Sequence, residues 1–203
     1  MQTADTPSRD RLLDTALVLF ASRGYAATST AELQKACGMS PGSGALYRHF
    51  RSKNEVLRAA LRRGLDRMRA SRAWRQATTP ADRLEALTNV ATAAQQTIAE
   101  NADLVRLMLH EPDAAPDLVD ELWVRNLAFA HTIMGQALRA SAEEAGTQIA
   151  DPEAISAVLL AGLSYMPVIE VLLGRPPGDI DPARFRDAWL RLSRAVFTHG
   201  VPD

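Results

Sequence analysis

The chain has 203 residues, 47% of them hydrophobic and 23% charged, with a net charge of −1. That length buries a substantial core in one large or two modest domains, and the composition excludes a disordered or low-complexity protein. A single cysteine, Cys37, excludes an internal disulfide, and no metal-ligand spacing accompanies it.

Met1 to Pro7 is polar and no apolar run follows, so a secretory signal is not expected and a reducing cytoplasm is the expected compartment. Charge is segregated along the chain. Residues 1–73 hold 13 Lys and Arg against 6 Asp and Glu, whereas residues 74–203 hold 10 against 18. A basic N-terminal unit suits phosphates, and an acidic remainder repels them.

The first predicted helix runs from about Pro7 to Arg23, with Leu12, Leu13, Ala16, Leu17, Phe20 and Ala21 on one face. Gly24 ends it. Ser29 with Glu32 three residues on forms a capping box for a second helix reaching about Cys37. Gly38 supplies a turn, Ser40-Pro41 enters a third short helix, and that helix ends in Tyr47, Arg48 and His49. Two short helices across a glycine turn are the physical form of a helix-turn-helix, which points to DNA. Ser52, with Glu55 three on, caps a fourth helix. Val56, Leu57, Ala60, Leu61, Leu65 and Met68 face inward, and Arg58, Arg62, Arg63, Arg67 and Arg69 face out.

From Thr79 onward the pattern stays helical, with expected helices near 80–100, 102–110, 116–145, 152–173 and 181–199. The fold class is therefore all-α, with about nine helices. Residues 154–173 hold one charge, Glu170, and have the length of a membrane span. Pro167, Ser156, Ser164 and Gly162, and the lack of a basic cluster at either end, favour a helix buried in protein and no membrane.

Residues 9–57 resemble the tetracycline-repressor (TetR) family of bacterial transcriptional regulators. The resemblance rests on ALVLF at 16–20, RGYAATST at 23–30, ELQKACGMS at 32–40 and LYRHFRSKNEVL at 46–57. It implies a helix-turn-helix DNA-binding domain over 1–52, a linking helix over 53–73, and a ligand-binding and dimerisation domain over 74–203. It also implies a regulator, expected to repress, that binds double-stranded operator DNA as a homodimer, is released by a small-molecule inducer and needs no cofactor. One departure is local. The commonest family pattern places about five residues between the turn glycine and Leu-Tyr, and here Met39 to Ala45 make seven.

Thr28 and Ser29, at a helix start, can bring hydroxyl and backbone N–H groups to a phosphate. Tyr47, His49 and Lys53 match the family's backbone-contact positions, and Arg48 can reach a guanine edge or a phosphate. Ser43, Gly44 and Ala45 stand where bases are read; Gly and Ala offer methyl contact and access to DNA shape rather than many hydrogen bonds. The alternatives are that Tyr47 packs over the third helix and that Lys53 is a solvated charge near a cap.

A single helix-turn-helix buries little surface on DNA, and a two-fold dimer is the usual remedy. Ala157, Ala161 and Ser164 allow close approach of a partner helix, and Phe185, Trp189, Leu192 and Val196 form a stripe on the last helix. The stripe serves equally as intramolecular core. Met108, Trp123, Phe129, Tyr165 and Met166 form an adaptable apolar set for a ligand cavity, with His110 and Asn126 as orienting polar groups. Their alternative reading is plain core. An all-α enzyme using His110 or His131 with Glu111 lacks a nucleophile, metal spacing or phosphate loop, and an architectural DNA-binding protein without a ligand is the remaining alternative.

Overall fold

In the computed structural model, residues 9–41, 44, 46–70, 83–122, 127–176, 178 and 180–201 are described. Among them stand nine α-helices: α1 Arg9–Arg23, α2 Thr30–Ala36, α3 Lys53–Arg69, α4 Arg83–Glu100, α5 Ala102–His110, α6 Pro116–Leu122, α7 Ala128–Ala145, α8 Pro152–Leu173 and α9 Pro182–His199. Two 3-10 turns, Leu46–Arg48 and Pro112–Ala114, complete the set. The expected helix over 116–145 is described as α6 and α7, with residues 123–126 between them outside the described residues.

The chain divides into two compact units. The first joins Met1–Met68 to Asn101–Asp120, and the second joins Arg69–Glu100 to Glu121–Asp203.

The first unit is built on α1, whose Leu12, Leu13, Ala16, Leu17 and Phe20 are almost wholly buried. Each such leucine or phenylalanine side chain removed from water contributes roughly 1.5–3 kcal/mol before entropy is counted. Val56, Leu57, Ala60, Leu61 and Leu65 of α3 complete that core, as their helical spacing requires. Helix α5 packs into it through Leu104 and Leu107. Gly64 makes this close approach possible: a Cβ there would stand 3.0 Å from Leu104 Cδ1.

The second unit is a bundle of α4, α7, α8 and α9 around Leu87, Ala91, Met134, Leu138, Leu159, Leu163, Trp189, Leu190 and Phe197. Two of its helices, α8 and α9, start by one rule. Asp151 caps α8 by accepting from Ala154 N–H, Asp181 caps α9 by accepting from Ala183 and Arg184 N–H, and proline follows each cap. Helix α8 is long and apolar enough to cross a membrane. Here it packs against α4, α7 and α9 and supplies Leu159 and Leu163 to the core, while Val158, Tyr165 and Leu173 stay exposed. Polar ties from side chain to backbone lock the bundle: Ser141 Oγ donates to Phe197 C=O at 2.7 Å, and Trp189 Nε1–H to Leu159 C=O at 2.8 Å. The chain end is pinned by a single parallel bridge between Ile149 and Val201.

Candidate nucleic-acid interface

The helix-turn-helix begins where α1 stops. Gly24 adopts φ +84° and its N–H donates to Phe20 C=O. Ser29 Oγ accepts Glu32 N–H at 3.2 Å while Glu32 Oε2 accepts Ser29 N–H at 2.7 Å, the expected capping box. Arg23 Nη1 lies 3.0 Å from Glu32 Oε1 and ties the end of α1 to the start of α2. The Glu32 carboxyl is held below the ordinary glutamate range by its hydrogen bonds from Ser29, with Arg23 adding to them.

The third element differs from the expected helix. Gly44 takes φ +67°, a left-handed conformation that side chains resist, and among the described residues of this element regular helical backbone appears as the 3-10 turn Leu46–Arg48. Gly42, Ser43 and Ala45 lie outside the described residues, so two of the three expected base-reading positions do too. Leu46 and Phe50 are buried and anchor the turn, and between them Tyr47, Arg48 and His49 are exposed. Tyr47 is 55% exposed, which argues against its packing over the neighbouring helix. Lys35 of α2 and Arg51 are exposed cations that sequence reasoning did not single out.

Thr28 sits differently from the sequence expectation. It is fully buried, and its hydroxyl donates to Gly24 C=O at 2.9 Å, so that hydroxyl serves the corner and has no surface to offer a phosphate. Ser29 stays exposed but its hydroxyl is engaged in the cap. Lys53, the first residue of α3, donates from Nζ to Tyr25 C=O at 2.7 Å and to Thr28 C=O at 3.0 Å, and the ammonium lies 4.2 Å from the Tyr25 ring centroid. It is thus an anchored charge rather than a freely solvated one.

The arginines of α3 are largely spoken for. Arg58 grips Asp117 through two hydrogen bonds of 2.7 and 2.5 Å, Arg63 meets Asp10 and Asp14 at 3.1 and 3.0 Å, and Arg67 reaches Asp14 at 2.7 Å. Burial works to raise the Asp14 pKa, yet hydrogen bonds and charge from Arg63 and Arg67 outweigh it and hold the carboxyl below the ordinary aspartate range. With Asn101–Asp120 folded in, the first unit holds 12 Lys and Arg against 11 Asp and Glu, a net charge of +1. The strong basic excess read along the sequence is therefore nearly neutralised in space, and the exposed cations around Lys35, Arg48 and Arg51 matter more than the total.

The residues expected to bind a ligand are scattered. Met108 is buried and His110 exposed on α5; Met166 is buried and Tyr165 is 52% exposed on α8. Trp123, Asn126 and the Phe129 side chain lie outside the described residues. A cleft of about 320 Å³ opens elsewhere, lined by Arg139, Ala142, Glu143, Thr147, Gln148, Ile149, Ala150 and Pro152 and by none of that set. Among the described residues no group of three or more His, Cys, Asp and Glu side chains is placed to hold a metal ion.

Of the expected dimer residues, Trp189 is 4% exposed within the chain and is core, because its indole is already covered and hydrogen-bonded. Leu192 is 66% exposed, Ala161 is exposed, and Ala157, Ser164, Phe185 and Val196 are half-buried. Val158, also 66% exposed, extends the open face of α8.

A capped α2, followed by an exposed Tyr47-Arg48-His49 row between buried Leu46 and Phe50, is a surface of the kind a helix-turn-helix presents. Residues 12–60 match the family model described as bacterial regulatory proteins, tetR family. Over that stretch the chain is similar to this family.

The transcriptional repressor KstR2 of Mycolicibacterium smegmatis is 38% identical over 90 residues, covering 41% of this chain and 43% of that protein. The matched stretch thus spans less than half the length of the first curated relatives. Across nearly the whole chain the fold resembles that of the ketosteroid transcriptional regulator KstR2 of Mycobacterium tuberculosis, with TM-score 0.64 at 23% identity over 97% of this chain and 95% of that one. It also resembles AibR solved with isovaleryl coenzyme A and operator DNA, with TM-score 0.66 at 20% identity over 91% and 97%.

Proposed function

We propose that the protein is a cytoplasmic, sequence-specific repressor that binds a palindromic operator as a homodimer and is released by a small-molecule inducer. The observation that carries this reading is the exposed row Tyr47, Arg48 and His49, held between buried Leu46 and Phe50 inside the stretch that matches the family. Tyr47, His49 and Lys53 contact phosphates, Arg48 reaches a base edge or a phosphate, and the segment around Ser43, Gly44 and Ala45 meets the bases. Residues 1–52 are the reading domain, 53–73 the link, and 74–203 the ligand and dimer domain. Val158, Ala161 and Leu192 supply the subunit interface, with Ala157, Ser164, Phe185 and Val196 at its margin.

Met108, His110, Trp123, Asn126, Phe129, Tyr165 and Met166 are the inducer's candidate contacts. The likeness to a protein solved with an acyl coenzyme A and to a ketosteroid regulator makes acyl thioesters and steroids the first classes to screen. Release requires that the ligand bind the two conformations with different affinity.

The test is fluorescence anisotropy with labelled DNA from upstream of this protein's own coding sequence, at two salt concentrations and against random competitor. Tight, salt-sensitive binding that survives competitor and is lost in Tyr47→Ala supports the reading. Binding no tighter than to random DNA, there and after selection from a random library, contradicts it.

A further inference from the structure

The turn between α1 and α2 is held from both sides by charges that are remote in sequence. On one side, Glu111, the residue that ends α5, accepts the Tyr25 backbone N–H at Oε1 over 3.0 Å. A Cβ on the neighbouring Gly24 would lie 3.7 Å from the same oxygen, so the carboxylate is seated directly on the corner. On the other side, Lys53 Nζ donates to the Tyr25 and Thr28 carbonyls and faces the Tyr25 ring. The Tyr25 ring in turn leans on Phe20, with centroids 5.5 Å apart. One residue, Tyr25, thus offers its N–H to a carboxylate and its C=O and ring to an ammonium.

From this we infer that Glu111 is a positioning residue for Lys53. The inference rests on the proposed reading, in which Lys53 contacts a DNA phosphate. An ammonium has three N–H donors, and two are fixed on the corner carbonyls, so the direction of the third depends on where the Tyr25 and Thr28 peptides are held. Glu111 fixes the Tyr25 peptide with a charge-assisted hydrogen bond, the stronger kind. Pro112 follows it and the Glu111 N–H is itself bonded to Leu107 C=O, so the carboxylate projects from a braced backbone. The consequence is that DNA affinity depends on an acidic residue lying outside the 12–60 stretch.

Charge alone predicts the opposite sign. Removing a carboxylate near DNA lessens repulsion and strengthens binding, whereas removing a positioning carboxylate weakens it.

The experiment measures binding of the full-length protein to a duplex selected from a random library, over a salt series, for wild type, Glu111→Ala, Glu111→Gln, Lys53→Ala and the Glu111→Ala/Lys53→Ala double variant. Glu111→Ala is expected to weaken binding about tenfold, the scale of one charge-assisted hydrogen bond. It should also flatten the slope of log K against log salt by about 0.9 per lost phosphate contact, as Lys53→Ala does. The double variant should bind no more weakly than Lys53→Ala alone. Glu111→Gln, which keeps an acceptor for the Tyr25 N–H, should retain most of the affinity and the wild-type slope.

An unchanged or tighter Glu111→Ala, or additive losses in the double variant, overturns the positioning role while leaving the DNA reading intact. A Lys53→Ala slope equal to wild type overturns the phosphate contact, and the inference with it. Should Glu111→Ala fail to fold, loss of the wild-type slope in a folded Glu111→Gln overturns the hydrogen-bond account.

Discussion

The first unit pairs charges across its surface, and the second leaves a group of apolar side chains open. In the first, α3 arginines are matched by Asp10, Asp14 and Asp117, the starts of α2 and α3 are capped by Ser29 and Ser52, and α1 is covered on its apolar side. In the second, Val158, Tyr165, Leu173 and Leu192 stand more than half exposed although the bundle beneath them is well packed. Large apolar side chains grouped on the last two helices are the mark of a surface that a partner covers. The difference teaches where the proposed dimer is to be sought: on the exposed apolar side chains of the bundle rather than on the charge-paired first unit.

The largest expected effect comes from the bundle core. Leu138→Ala removes a fully buried side chain and is expected to cost about 2–5 kcal/mol, read as a lower midpoint in urea. If the two units unfold separately, probes placed in the first unit should report an unchanged midpoint, which sharpens the contrast; a common shift would show one cooperative unit.

Next in size is the open face. Val158→Asp with Leu192→Asp is expected to convert a dimer to a monomer in sedimentation while leaving far-UV circular dichroism intact. Desolvating two carboxylates in an apolar interface costs several kcal/mol. A dimer that survives both changes would move the interface elsewhere.

Smaller effects probe the first unit. Ser29→Ala removes the cap of α2 and should destabilise by about 1 kcal/mol in thermal unfolding, with no change in dimerisation. Ser29→Asp should recover much of it, since aspartate is also a good cap.

The smallest is an acid effect. Asp14 has a folded pKa below its ordinary value, so its ion pairs stabilise the fold above the unfolded pKa, and that contribution disappears as pH falls through the folded value. Both carboxylate and guanidinium are partly exposed, so solvent screening keeps the contribution below about 1 kcal/mol. Asp14→Asn should lower stability at neutral pH and flatten the stability curve below the ordinary aspartate pKa, as followed by urea unfolding at a series of acid pH values.

How much of this was legible in the sequence depends on the range of the interaction. The α1 face, the Ser29–Glu32 box and the bounds of α4, α5, α8 and α9 follow from 3.6-residue spacing, caps and prolines, which act within a few residues. What covers a face is not written in its period. The stripe on α9 read as a single surface, yet Trp189 turns into the bundle and Leu192 out of it. Nor could charge counted along the chain foresee that the acidic stretch Asn101–Asp120 folds onto the basic one. The tie between Glu111 and Tyr25 spans 86 positions and leaves no local signature. Within the site, the exposed Tyr47, Arg48 and His49 were legible from the motif, whereas burial of Thr28 was not, because a threonine before a helix start reads equally as a cap or as core.

The most direct measurement is sedimentation of the protein with duplexes carrying one half-site or two, taken from the selected operator. The account predicts two chains on the two-half-site duplex, bound far more tightly than to a single half-site, with that advantage lost in the Val158→Asp/Leu192→Asp variant. One chain per duplex, with equal affinity for one half-site and two, would contradict it.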